Sequence, residues 1–357
     1  MTYRIFALNL GSTSTKLALF DDDRKVLVQN IVHPIQDLSA FKNVWEQQTY
    51  RKKSLLNFLR DNDLSLDDCD IIVARGGITR PVEGGIYNLT PEMLADMKSG
   101  RYGTHPTNVG CHIAYELGKK HRTPVICIDP PVTDEMIPVA KYTGIPEISR
   151  QSSFHALNQK ATARKIATVL NKNYSDINII ICHLGGGISV GAHSHARVVD
   201  VNNALNGDGP FSPERAGSVP TASLTELCFS GDYEKGAILK KLTGRGGLTA
   251  HLGTADCIEI IERIQFGDQK AAEVLDAMCY QVAKEVGAMA AVLCGKVDGI
   301  GLTGSLTHSE YIVSKLKQHI SFIAPVYLYP GENEMEAMGA GALRYLRKEE
   351  EAKYYNG

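Results

Sequence analysis

The sequence predicts an α/β protein of two related domains, each built on a mixed sheet flanked by helices. Helical and strand patterns alternate along most of the chain, an order that argues for sheets covered by helices. A strand, a small-residue turn, a second strand and a hairpin also occur twice, at 4–20 and at 178–192. The copies superpose with Asn9 on His183, an offset of 174 residues, so that Leu10-Gly11 falls on Leu184-Gly185. Finally, 357 residues of which 43% are hydrophobic suffice for two cores.

The elements follow in order. The first copy turns at Asp21, Asp22 and Asp23 and continues as a strand over 25–28. Residues 38–59 carry amphipathic spacing, 71–74 is an apolar strand, and Thr90 before Pro91 and Glu92 reads as a helix N-cap with proline at the first helical position. A helix over 107–120, a buried strand over 124–128 and a helix over 155–170 lead to the second copy, which turns at 193–195 and continues over 197–200. His193, His195 and the three aspartates are hairpin residues in this reading and receive no role. Helices near 221–230, 233–242 and 254–265 precede a long apolar-striped helix over 268–294. A strand over 297–302, a helix over 309–319, a strand over 326–328 and a helix from about 333 complete the pattern.

Composition excludes several function classes. A net charge of −2 provides no basic field for nucleic acid or an anionic membrane, and Trp45 as the sole tryptophan leaves little for base stacking. No apolar run approaches the ~18 residues of a membrane span, and the start enters a strand without signal-peptide character, so the expected location is the cytoplasm. Eight cysteines without Cys-x-x-Cys spacing read as small core hydrophobes in a reducing compartment.

The chemistry is expected at the two turns. Without bulky Cβ groups, a Gly/Ser/Thr turn points backbone N–H groups into a concavity that holds phosphate oxygens, and hydroxyls add donors. One such turn merely joins strands; two at matched positions suggest a duplicated phosphate clamp.

The motifs along the whole chain carry a family resemblance. They are Asn9-x-Gly-Ser-x-Ser-x-Lys16, Ala74-Arg-Gly-Gly77, His105-Pro-Thr-Asn108, Asp129, Phe154-His155, His183-Leu-Gly-Gly-Gly-x-Ser-Val190, Pro213-Glu-Arg-Ala-Gly-Ser218, Leu302-Thr-Gly-Ser305 and Pro330-Gly-Glu-Asn-Glu334. In this order they resemble the butyrate kinases, within the acetate kinase group of the superfamily shared by sugar kinases, actin and heat-shock chaperones. The resemblance implies two duplicated actin-like (ribonuclease H-like) domains with an interdomain cleft. The first would comprise 1–152 with 335–357 and the first phosphate hairpin. The second, 153–334, would hold the glycine-rich hairpin and the adenosine site.

The implied reaction is phosphoryl transfer between ATP and a short-chain carboxylate, with Mg²⁺, giving ADP and an acyl phosphate. Similarity to acetate kinases places His155 and Arg215 beside the transferring group, with Asn9, and sets Asp129 and Glu334 on the Mg²⁺ side; Glu332 and Glu336 are alternatives in register. It assigns Ser12, Ser14, Lys16, His183, Gly185, Gly186, Gly187, Thr303, Gly304 and Ser305 to phosphate and nucleotide binding, and Asp256 to the adenosine. Asp129 before Pro130 also fits a plain strand-ending turn, and Lys16 a solvated strand residue.

The acceptor side departs from the acetate kinase pattern. Arg75 stands where that group has histidine, and its substrate arginine falls on Ile72, so Arg75 is expected to take the carboxylate, with His105 nearby. Gly186 replaces an asparagine, and Ile258 an arginine of the adenosine site. The valine and leucine that close the acetate pocket fall on Ala74 and Thr104, while Phe154 is retained. Smaller walls leave room for extra methylenes, which points to butyrate, isobutyrate, valerate or isovalerate. The expected partners are the acid and the nucleotide, with no nucleic acid or membrane, in a homo-oligomer that is a dimer or higher. The alternatives are an acetate or propionate kinase, a sugar or polyol kinase using Asp129 as base, and a non-catalytic ATP-dependent clamp.

Overall fold

The computed structural model describes residues 2–205 and 208–355. The chain divides into unit 1, Met1–Thr133 with Asn333–Gly357, and unit 2, Asp134–Glu332. Each is a mixed sheet flanked by helices, as the alternating pattern predicts.

Unit 1 contains β1 (Arg4–Leu10), β2 (Ser14–Asp21), β3 (Arg24–Val32), β4 (Ile71–Ala74), β5 (Ile86–Asn88) and β6 (Val125–Ile128). Unit 2 contains β7 (Asn178–Leu184), β8 (Ile188–Ser194), β9 (Arg197–Val201), β10 (Gly299–Gly304) and β11 (Val326–Pro330), and β12 (Ala352–Lys353) returns to unit 1. The sheets run β12-β5-β6-β4-β1-β2-β3 and β11-β10-β7-β8-β9. In each, the repeated hairpin forms an antiparallel meander whose first strand pairs in parallel with the next strand of its unit, β1 with β4 and β7 with β10. The bounds of β1 and β7 differ by the 174 residues read from the sequence. Both meanders also slip register by one residue, between Leu19 and Phe20 and between Ala192 and His193, places that differ by one position at the 174-residue offset.

Both faces of the central strands are buried. In unit 1, Phe6, Leu8, Leu10, Ile72 and Cys127 pack with Met93, Val109, Ile113 and Leu117 from two helices, while the helix Glu334–Leu346 covers the other face. In unit 2, Cys182, Val190, Ile300 and Leu302 pack against the apolar stripe Val274, Met278, Val282 and Val286 of the long helix Gln269–Val292. No helix among the described residues is long and apolar enough to cross a membrane.

Several boundaries move from those the sequence pattern suggests. The chain passes between units after Thr133 and Glu332, whereas the resemblance implies breaks after 152 and 334. Residues 134–152 attach to unit 2 through β9: Ile137 N–H donates to Val199 O at 2.9 Å, and Arg150 reaches the Asp200 carboxylate and the Val201 carbonyl. An irregular segment carries no periodicity to announce that attachment. The amphipathic stretch 38–59 breaks near Asn43, whose side chain accepts from Trp45 and Glu46 N–H and starts a new turn ahead of the helix Gln48–Asp61. The second hairpin turns later than its composition suggests, at His195 and Ala196, both with positive φ, so His193 belongs to β8 and is fully buried.

Candidate functional site

In unit 1 the turn after β1 is held from inside the protein. Arg51, 1% exposed, donates to the carbonyls of Ser12 and Ser14 at 2.8 and 2.9 Å and to Gln47 Oε1 at 3.0 Å. His33, also buried, hydrogen-bonds Thr15 Oγ1 at 2.8 Å and takes the Thr13 carbonyl through its own N–H. The turn's carbonyls are thus satisfied internally, while Ser12 is exposed and Ser14 half-buried. Lys16, half-buried, lies opposite Asn9 in the ladder.

At the end of β1 the Asn9 amide donates to Glu334 Oε2 at 2.7 Å, and Arg75 Nε, just after β4, donates to Oε1 of the same carboxylate at 2.8 Å. Glu334 reaches both because it opens its helix directly after Asn333, which has a left-handed φ of 49°. Arg75 Nη1 is buried without a hydrogen-bond partner. His105 caps the helix Pro106–His121 by accepting Thr107 N–H on Nδ1 at 3.3 Å. Burial, and next the charge of Arg75, push its pKa below that of an ordinary imidazole. A neutral ring that accepts on Nδ1 carries its proton on Nε2.

Asp129, 1% exposed, follows β6 with a φ of 41°, and its Oδ1 accepts Gly85 N–H at 2.8 Å. A non-glycine residue in this region costs ~1–3 kcal/mol and persists where its surroundings dictate it. Among the described residues no group of three or more His, Cys, Asp or Glu converges as a metal site. Mg²⁺ is commonly held by one or two carboxylates together with substrate phosphates and waters, and the hard oxygens of Asp129 and Glu334 fit that pattern. Glu336 instead pairs with Lys25 at 2.6 Å.

In unit 2 the matching strand carries His183 as its penultimate residue. Its ring stacks on that of His155, centroids 3.7 Å apart and planes within 9°. The Asn158 amide nitrogen donates to the Glu332 carbonyl and to Thr303 Oγ1, which fixes the amide's orientation, so Asn158 Oδ1 accepts from His183 Nδ1–H at 2.8 Å. Thr303 donates to the Gly331 carbonyl at 3.2 Å, and Ser305 is exposed. Gly304, with a φ of 94°, comes so close to β7 that a Cβ there would lie 2.3 Å from the Leu184 carbonyl oxygen.

The glycine turn follows directly. Gly185 and Gly187 are buried and Gly186 is exposed, its carbonyl accepting Ser212 Oγ at 2.7 Å. Arg215 lies over Gly187: a Cβ at that position would stand 1.4 Å from Nη1. Burial lowers the Arg215 pKa, the Glu214 carboxylate acts against that shift, and Nε is buried without a partner. Arg75 Nη1 and Arg215 Nε are the two buried side-chain nitrogen or oxygen atoms among the described residues that lack a partner.

Other candidates fall elsewhere. Asp256 is an exposed helix N-cap, accepting Ile258 N–H at 2.9 Å. Ala74, 1% exposed, belongs to the unit 1 core with Leu8, Cys111 and Cys127, whereas Thr104 is exposed beside His105. Phe154 packs in unit 2 with Met136, Ala156, Val198 and Val201. Arg51 and Asn158 are absent from the sequence reading. Arg51 had a signal, as a charge in the apolar stripe with Leu55 and Phe58; Asn158, one more polar residue on a helix, had none.

The fold matches solved structures over nearly the whole chain. An acetate kinase of Porphyromonas gingivalis is 18% identical with a TM-score of 0.76, covering 96% of this chain and 99% of that one. A propionate kinase of Francisella tularensis is 17% identical with a TM-score of 0.74, covering 95% and 98%. An acetate kinase of Entamoeba histolytica is also 17% identical, with a TM-score of 0.72 and the same coverage. Residues 137–342, more than half of the sequence, match the acetokinase family, and the chain belongs to that family.

Proposed function

We propose that the protein transfers the γ-phosphoryl group of ATP reversibly to a short-chain carboxylate, butyrate or a branched acid of similar length, giving ADP and an acyl phosphate. The pair of unpartnered guanidinium nitrogens, Arg75 Nη1 and Arg215 Nε, carries this reading. A buried polar group left unpaired costs ~1–3 kcal/mol, and more when charged, a cost that an anionic oxygen removes. Arg75, held by Glu334, is suited to the acceptor carboxylate. Arg215, lying on the glycine turn, is suited to the phosphoryl oxygens, which its planar fork can grip in pairs. Acetokinase membership supports the carboxylate acceptor, and the order of motifs supports butyrate.

The chemistry asks little covalent work of the chain. A short-chain acid is ionised at neutral pH, so its oxygen bonds phosphorus while the β–γ bridging bond breaks and ADP leaves with the electron pair. No base is needed to create the nucleophile. The residues instead bind anions and offset their charge: within unit 1, Arg75, His105 and Asn9 suit the acceptor, and within unit 2, His155, His183, Arg215 and the turn N–H groups suit the phosphates. Asp129 and Glu334 would hold Mg²⁺, which neutralises phosphate charge when bound.

The test is ADP formation with Mg²⁺ against acetate, propionate, butyrate, isobutyrate, valerate, glycerol and hexoses, with hydroxylamine present to trap the product as a hydroxamate. Turnover on butyrate that chelation abolishes is expected. Turnover on glycerol or hexoses with none on carboxylates would overturn the reaction class, and a preference for acetate or propionate would overturn the choice of acid.

A further inference from the structure

Behind His155 lies a buried chain of hydrogen bonds to which the reaction above assigns no part. Gln159, fully buried on the helix Ala156–Val169, donates from its amide nitrogen to both the carbonyl and Oγ of Ser189, at 3.1 and 2.8 Å. A backbone carbonyl only accepts, so the amide cannot be reversed, and Gln159 Oε1 faces His193 Nε2 at 3.0 Å. His193 therefore carries its proton on Nε2. Complete burial, and next the charges of Lys160 and Arg164, push its pKa well below the ordinary value, so the ring stays neutral and Nδ1 accepts the Tyr174 hydroxyl at 2.7 Å. Donation runs in one sense, from Tyr174 to His193 to Gln159 to Ser189. Ser189 Oγ, already accepting from Gln159, is 2.9 Å from His155 Nδ1.

We infer that Gln159 is a positioning residue for His155: its amide nitrogen can only donate to the fully buried Ser189 hydroxyl, whose own proton is left with His155 Nδ1 as acceptor, which fixes neutral His155 with its proton on Nε2. The functional consequence rests on the phosphoryl-transfer reading. In that tautomer His155 offers an N–H to a phosphoryl oxygen without becoming an imidazolium against the His183 ring stacked 3.7 Å away. His183 donates through Nδ1 to Asn158, whereas His155 accepts on Nδ1.

Two-bond ¹H–¹⁵N correlation spectra of the full chain with labelled histidine, recorded at mildly alkaline pH, read the tautomer directly, with the His155 signals assigned by their loss in His155→Asn. The wild type should show the Nε2–H pattern. Gln159→Leu and Ser189→Ala should both shift it toward a mixture and lower kcat about tenfold, the rate equivalent of one lost hydrogen bond, with KM values within about twofold. An Nδ1–H pattern in the wild type, an unchanged tautomer in the variants, or a shifted tautomer with unchanged kcat overturns the inference. If Gln159→Leu does not fold, Ser189→Ala decides, since it removes only the hydroxyl. A wild type that phosphorylates no carboxylate defeats the proposed function instead, and the spectrum still decides the tautomer.

Discussion

Gly187→Ala tests whether Arg215 acts from the place it occupies over the glycine turn. The added Cβ would stand 1.4 Å from Nη1, 2.7 Å from Cζ and 3.1 Å from the Ala204 carbonyl oxygen. Restoring an ordinary separation of ~3.5 Å requires the guanidinium to retreat by about 2 Å. Misplacing a reacting group by ~1 Å can cost a hundredfold, so kcat for acyl phosphate formation should fall by about a hundredfold or more. The backbone at Gly187 is outside the left-handed region, which leaves the clash with Arg215 as the main consequence. Gly186→Ala is the control: its Cβ would meet only the end of the exposed Glu214 side chain, at 3.1 Å, and kcat should stay within about threefold because that carboxylate can swing aside. Arg215→Ala should itself lose about a hundredfold, the ~2.7 kcal/mol scale of one preorganised donor, and adding Gly187→Ala should take nothing further. A coupled ADP assay on folded protein measures all four. A Gly187→Ala enzyme at the wild-type kcat would refute the assignment of Arg215 to the transferring group.

Arg51→Met should lower unfolding free energy by about 2 kcal/mol or more, because it removes the donor to the Ser12 carbonyl and to buried Gln47 Oε1 and leaves the Ser14 carbonyl with Gly11 N–H alone; a loss under ~1 kcal/mol in denaturant titration would show that the turn holds itself. Thr104→Leu should shift the butyrate-to-acetate ratio of kcat/KM toward acetate by about tenfold, whereas Ala74→Val should cost ~1–3 kcal/mol of stability with the ratio unchanged, since Ala74 lies in the packed core; the reverse pattern would place Ala74 at the acyl chain. Stability should fall as pH drops below ~6.5, because burial holds His33, His105, His112 and His193 below the ordinary imidazole pKa, so the unfolded chain takes up protons that the folded chain refuses. The loss is up to ~1.4 kcal/mol per pH unit for each ring that stays neutral, and a flat denaturation midpoint between pH 7 and 5 would contradict it.

The strands that carry the repeat were legible because they are apolar, bounded by small or acidic turn residues, and long enough for their pattern to stand out. The strands β5 and β12, with three and two residues, are below any periodicity and are defined only by their neighbours. Arg75, His155, His183 and Arg215 were legible as motif members, but Glu334 gains its meaning from Asn9, 325 residues away in sequence. His193 was misread for a physical reason. Histidine and serine on either side resemble a turn, and only the pairing of His193 with Val198 and its burial beneath Tyr174 show it to be a strand residue. For Ala74 the structure shows burial in the unit 1 core, which a small residue in an apolar strand shares with many others and which the sequence alone does not separate from a place beside a ligand.

The two hairpins also show why a repeat can be plain in its strands and hidden in its supports. A turn that holds phosphate must present N–H groups outward, and its carbonyls then need partners on the protein side. In unit 1 the partner is Arg51, from a helix that follows the meander, and near the end of β1 Asn9 is fastened to Glu334. In unit 2 it is the Ser212 hydroxyl, from the loop that also carries Arg215, and near the end of β7 His183 is fastened to Asn158. The strand pattern at an offset of 174 residues stays readable because both copies must bury the same faces. The supports share only a requirement, a buried donor for a carbonyl. A guanidinium from one element and a hydroxyl from another meet it equally well, so the two ends of the repeat were free to acquire different chemistry on one backbone.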